Sequence, residues 1–170
     1  MCIRDRPYTD VVRDGLLTPL GITDMTIGPT YGTGPSDVFH WTRANANYMD
    51  VLGPSGSWVA TAADVVRITD SLDAGKRGFH PLSPGLADVM RSRSPFPYSP
   101  DRWYGLGLIC FTDGTWGHTG TLESAHDLLV HRTDGYSYAV LVSGNEPRET
   151  DDLIAIFNAA FDGSGVRSFL

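Results

Sequence analysis

Lysine is nearly absent from this chain. Lys76 stands alone against 12 arginines and 20 acidic residues. The formal net charge of −7 leaves no basic face for phosphate, which argues against nucleic acid as a partner. No apolar run approaches the ~20 residues of a membrane-spanning helix. No secretory signal is visible either, with its basic start, apolar middle and small-residue cleavage site. Cysteine is scarce. Cys2 and Cys110 make no disulfide framework, and Cys110, inside an apolar run, reads as a small buried hydrophobe. The compartment stays open. There is no internal repeat and no low-complexity segment. What remains is ordinary for a globular protein: 170 residues, 41% apolar and 19% charged, long enough for one domain with a real core.

The opening residues 1–6, "MCIRDR", carry no cap and no periodicity, and they read as a non-native leader outside the fold. Residues 8–17 predict a short helix, stopped by Pro19 and Gly21. Residues 28–57 are rich in Gly, Pro, Ser, Thr and Asn and read as a long loop, which in a compact domain is usually functional. "TAADVVRITDSLDAGKRG" predicts a helix capped by Thr61, with Asp64 in the capping-box position, Val65, Ile68 and Leu72 on one face, and Gly75 at its end. "SPGLADVMRSR" predicts another, with Ser83 as cap, Pro84 at the first position, and Leu86, Val89 and Met90 as its apolar residues.

From residue 103 the period becomes that of strands. "WYGLGLICF" reads as strand, Asp113-Gly114 as a hairpin turn into "TWGHTG", and "HDLLVHR" as the next strand. Thr133-Asp134-Gly135 turns that strand into "YSYAVLVS". After a turn at Asn145–Pro147, Thr150 caps a last helix whose Leu153, Ile156, Phe157, Ala160 and Phe161 form a stripe suited to packing on the sheet. The fold class is α+β: an antiparallel sheet covered by helices on at least one face.

Five stretches, "PLGITDMTIGP", "GSWVATAADVVRI", "YGLGL", "GHTG" and "YAVLVSGNEP", stand in the order and local setting of a known family. The chain resembles the C-terminal part of the penicillin-recognising serine hydrolases, in the branch of class C β-lactamases, D-alanyl carboxypeptidases and esterases. The resemblance implies a β-lactamase/transpeptidase-like sheet, incomplete at the N-terminus, with residues 7–170 as the C-terminal portion of one domain. It implies acyl-enzyme hydrolysis of a peptide, lactam or ester, with a small-molecule or peptide-like substrate and no metal or organic cofactor. It places His118 and Thr119 against substrate, gives the Thr121 N–H to the oxyanion, and lets the backbone approach closely at Gly120. It allows an exported parent, periplasmic or extracellular, whose signal region these residues do not carry.

The family's chemistry needs Ser-x-x-Lys, where one helical turn sets the amine beside the hydroxyl it activates, and a Tyr-x-Asn-type proton shuttle. Neither is here. Asp73 stands three residues before Lys76, and none of the seven tyrosines is followed two residues on by Asn. In the family both elements precede the stretch resembling "PLGITD", so the chain is expected to be a C-terminal fragment, inactive alone and poorly soluble. Where the family commonly continues His-Thr-Gly with further glycines, Thr121-Leu122-Glu123-Ser124-Ala125 stands here, which suggests an unusual substrate. "GPSGS" at 53–57 looks like a nucleophile elbow but ends in Ser57 and follows no parallel strand, so it reads as the loop entering the capped helix.

Two rival readings differ in class. One is a complete non-catalytic module binding peptide or glycan on the same wall. The other is an enzyme built on His118, His126, Asp127 and His131 with a metal. Against the latter, His126 and His131 lie five apart and face opposite sides of one strand.

Overall fold

A computed structural model describes residues 2–3, 5–28, 49–93, 99–122, 125–144 and 150–163. The chain opens with a short antiparallel pair, β1 (Cys2–Ile3) on β2 (Arg6–Pro7), so the residues read as a leader touch the first helix, where Arg6 pairs with Asp14. Helix α1 (Tyr8–Val12) runs on as a π-helical turn over Arg13–Leu17 and ends at the expected Pro-Gly stop. β3 (Thr26–Ile27) pairs with β4 (Trp58–Val59), and α2 (Met49–Leu52) leads into a 3₁₀ turn at Gly53–Ser55. Most of the long Gly/Pro-rich loop, the Asn145–Pro147 turn and the Thr150 cap lie outside the residues and side chains described.

Helix α3 (Ala62–Ser71) begins as its sequence specifies: the Thr61 hydroxyl accepts the Asp64 N–H at 3.1 Å. It ends earlier than expected, at Leu72 rather than Gly75. Helix α4 (Pro84–Arg91) is capped by Ser83. Its packing face differs from the expected one: Ala87 is buried and Met90 joins the core, while Leu86 and Val89 face outward.

The apolar run "WYGLGLICF" is not one strand. It folds back on itself as β5 (Arg102–Tyr104) and β6 (Ile109–Phe111), with Gly105 N–H donating to Leu108 O at 2.7 Å. Two glycines cause this. A Cβ at Gly105 would stand 2.3 Å from Met90 O, and Gly107 adopts φ +80°. β7 (Trp116–Leu122), β8 (Ala125–His131) and β9 (Ser137–Ser143) complete a five-stranded antiparallel sheet in the order β5-β6-β7-β8-β9. The last helix is α5 (Thr150–Gly163).

Register sets two faces, because directly opposed residues share a side. On one face Leu128, Val130 and Tyr138 pack with Leu153, Ile154, Phe157 and Phe161 of α5. The expected stripe therefore docks on the sheet, with Ile154 in the contact and Ile156 turned outward. On the other face Cys110 and Trp116 pack with Leu72, Met90 and Trp103, under α3 and α4. Helices thus cover both faces of the sheet.

Candidate functional site

The His-Thr-Gly triplet lies in the second half of β7. β8 covers the whole of β7, from Trp116↔His131 to Leu122↔Ala125. β6 covers it only at Trp116 and Gly117. From His118 onward, the edge turned toward β6 carries no strand among the described residues.

The direction of the backbone on that edge follows from one hydrogen bond. Phe111 N–H donates to Thr115 O at 2.9 Å, so Thr115 turns its polar groups toward β6. Successive residues of an antiparallel strand alternate edges. Gly117, Thr119 and Thr121 therefore present N–H and C=O to the β6 side, and His118 and Gly120 present theirs to β8.

His118 and Tyr104 fill the gap where β6 stops. The Tyr104 hydroxyl lies 2.6 Å from His118 Nε2, with the rings edge to face at 5.7 Å. His118 Nδ1 lies 2.6 Å from Thr119 O. A carbonyl only accepts, so Nδ1 carries the proton, and on a neutral ring Nε2 accepts from Tyr104. The Thr119 carbonyl on the open edge is thereby occupied, and the Thr121 N–H is the next backbone donor along it.

Across β7 from the open edge, Asp127 directly opposes Gly120. A Cβ at Gly120 would meet Asp127 Cβ at 3.4 Å and Oδ2 at 3.5 Å, so the carboxylate stands over the bare glycine backbone. Burial raises the Asp127 pKa above its ordinary 3.8, opposed by the nearby His126. Alternation along β7 puts the His118 side chain on this same face. His126 opposes Thr121 on the other face, buried, and its Nδ1 has no hydrogen-bond partner among the described residues.

The four histidine-cluster residues are thus not one site. His131 lies at the far end of β8, stacked on Trp116 at 4.5 Å. There it adjoins a pocket of about 480 Å³ that none of residues 118–121 lines. Its Nδ1 is 2.9 Å from Ser137 Oγ, and its Nε2 is 3.4 Å from Asp73 Oδ2. These are the residue types of a nucleophilic triad, but the proton runs the wrong way. Ser137 donates to Asp70 at 2.6 Å rather than to the imidazole. The trio ties α3 to β8 and β9. Among the described residues no group of three His, Cys, Asp or Glu side chains could hold a metal.

Ser57 is no elbow nucleophile. It is fully buried and donates to Gly53 O at 2.7 Å. Sequence reading reached His118 through Thr121, but it passed over Tyr104 and treated Asp127 only as a metal ligand. Pairing Asp127 with Gly120 requires the centre of the β7–β8 hairpin, which sets the register.

A family model described as Beta-lactamase matches residues 3–161. No protein of curated function matches the sequence. Among solved structures the chain is similar to a D-stereospecific amidohydrolase from Streptomyces sp., at 20% identity and a TM-score of 0.71, covering 92% of this chain and 48% of that one. It is similar to a penicillin binding protein from Bacillus halodurans, at 15% identity and a TM-score of 0.60, covering 91% and 50%. It is also similar to a D-amino acid amidase from Ochrobactrum anthropi SV3 complexed with D-phenylalanine, at 19% identity and a TM-score of 0.54, covering 82% and 46%. The chain spans about half the length of these structures.

Proposed function

The chain belongs to the beta-lactamase family, and from that premise we propose that it supplies the substrate wall of a serine hydrolase that cleaves an amide through an acyl-enzyme. In this reading the nucleophilic serine and its lysine stand outside these 170 residues, since Lys76 has no serine one helical turn before it. The chain alone then turns over no substrate.

On this wall the Thr121 N–H donates to the carbonyl oxygen as negative charge develops there. A donor fixed in advance contributes more to the transition state than to the ground state. Thr119 and His118 hold the adjoining part of the substrate. Tyr104 anchors the His118 ring at Nε2, and His118 in turn occupies the Thr119 carbonyl. The observation that carries the reading is the open edge of β7, where Thr121 is the backbone donor next to the His118–Thr119 contact. The amide preference is supported by the fold-level likeness to a D-stereospecific amidohydrolase and a D-amino acid amidase.

The test begins by reading the coding DNA upstream of Pro7. We expect an in-frame extension encoding Ser-x-x-Lys and then Tyr-x-Asn. The extended product should be labelled by a fluorophosphonate on that serine, and the 170-residue chain should not. Labelling of the short chain on one of its own serines would overturn the reading. A genuine start codon at this point, with binding of peptide or glycan and no acylation, would give the non-catalytic module its place.

A further inference from the structure

His80 closes the loop that follows α3, and the chemistry above makes no use of it. Gly78, at φ +121°, turns the chain back after Lys76 and brings the half-buried ring to the C-terminal end of the helix. His80 Nδ1 lies 3.0 Å from Ser71 O, and Nε2 lies 2.9 Å from Lys76 O. Both partners are backbone carbonyls, which only accept. A neutral imidazole has one N–H, so it serves one carbonyl and turns a lone pair on the other. An imidazolium serves both. Ser71 is the last residue of α3, where the helix dipole favours a cation. The next carbonyl, Leu72 O, already accepts from the Arg91 guanidinium at 3.1 Å.

We propose that His80 is a proton-operated clasp: protonated, it ties the end of α3 to the turn at Lys76, and on losing its proton it releases one of the two carbonyls. The loop it closes carries Asp73 to His131 Nε2 at 3.4 Å and Lys76 to Asp70 at 3.5 Å. The clasp therefore sets how firmly α3 is held to β8. Around this end of the helix, Arg91 of α4 and Lys76 and Arg77 of the loop oppose a further positive charge, while Asp70 and Asp73 favour it. The Lys76 ammonium is itself matched by Asp70. His131 of β8 acts on the same loop in the other direction, because charging its buried ring costs the fold, whereas charging His80 adds a donor. The clasp is present at low pH and is lost as the ring gives up its proton with rising pH. The inference is independent of the reading of β7 as a substrate wall.

The test uses the ¹⁵N-labelled full chain from about pH 5 to about pH 8.5, which spans the ordinary histidine range. Long-range ¹H–¹⁵N spectra follow the His80 ring. Hydrogen exchange, corrected for its intrinsic pH dependence, follows the Asp73 and Lys76 amides, which bond Asp70 O and Asp73 O. We expect both ring nitrogens to carry protons while these amides are protected, and protection to fall roughly tenfold with the same midpoint as the ring. His80→Gln, checked for an otherwise unchanged spectrum, should hold the lower protection at every pH. A neutral ring throughout the range in which the amides are protected overturns the inference. So does a pH-dependent loss of protection that survives in His80→Gln, or a loop unprotected at every pH.

Discussion

The Tyr104 hydroxyl reaches His118 Nε2 at 2.6 Å across the space where β6 ends, joining two strands that are not neighbours in the sheet. The Thr119 carbonyl, which only accepts, fixes the imidazole as the Nδ1–H tautomer and leaves Nε2 to accept from Tyr104. Tyr104→Phe removes the hydroxyl and leaves the ring. Tyr104 is 45% exposed, so the change should cost no more than about 1 kcal/mol of stability. Long-range ¹H–¹⁵N spectra should show the Nδ1–H tautomer in both the native chain and the variant, because the Thr119 carbonyl remains, with the Nε2 signal shifted by loss of the hydroxyl. An Nε2 signal unmoved in Tyr104→Phe would show that the hydroxyl does not engage His118.

Two glycines of β7 should respond oppositely to alanine. A Cβ at Gly117 would lie 2.0 Å from Leu129 O, a backbone atom of the paired strand that cannot step aside. Gly117→Ala should therefore destabilise the sheet by about 3 kcal/mol or more. A Cβ at Gly120 finds ordinary contact distances, so Gly120→Ala should keep its melting midpoint close to native. Equal melting losses in the two variants would contradict this account.

The same contrast shows what the sequence makes legible. The caps at Thr61 and Ser83, the turns at Asp113-Gly114 and Thr133-Asp134-Gly135, and the α5 stripe are local codes, written within a few residues of where they act. The break between β5 and β6 was not readable. It depends on Met90 O, which lies 15 residues before Gly105 and meets it only after α4 has packed. Similarly, "HTG" identified a strand and the family resemblance gave it a role, but Tyr104 and Asp127 join the site through register and through the early end of β6. The face that α4 turns to the core went astray for the same reason: three apolar residues define a stripe, and the partner decides which of them it covers.

His131 should make stability depend on pH near neutrality. Burial pushes its pKa below the ordinary 6.5, against the pull of Asp73 and Asp70 and with Lys76 and Arg91 acting in the same direction as burial. The folded chain then binds fewer protons than the unfolded chain between the lowered pKa and 6.5, and stability rises with pH across that window. The contribution is fully present above 6.5 and is lost as pH falls through the folded value. Urea unfolding of the native chain should show a midpoint that drops on acidification from neutral pH. His131→Asn, which also loses the stack on Trp116, should unfold more easily at pH 7 but with a flatter pH dependence. An equally steep dependence in the variant would assign the effect to another group.

Asp127 carries the opposite sign. Burial raises its pKa above 3.8, so the folded chain holds a proton that the unfolded chain has released. Its stabilising influence is present below 3.8 and is lost as pH rises through the folded value. At neutral pH the ionised carboxylate is therefore a cost to the fold, and Asp127→Asn should unfold at higher urea than the native chain at pH 7. If Asp127→Asn instead lowers the urea midpoint at pH 7, Asp127 has a structural partner and its place over Gly120 is a matter of folding.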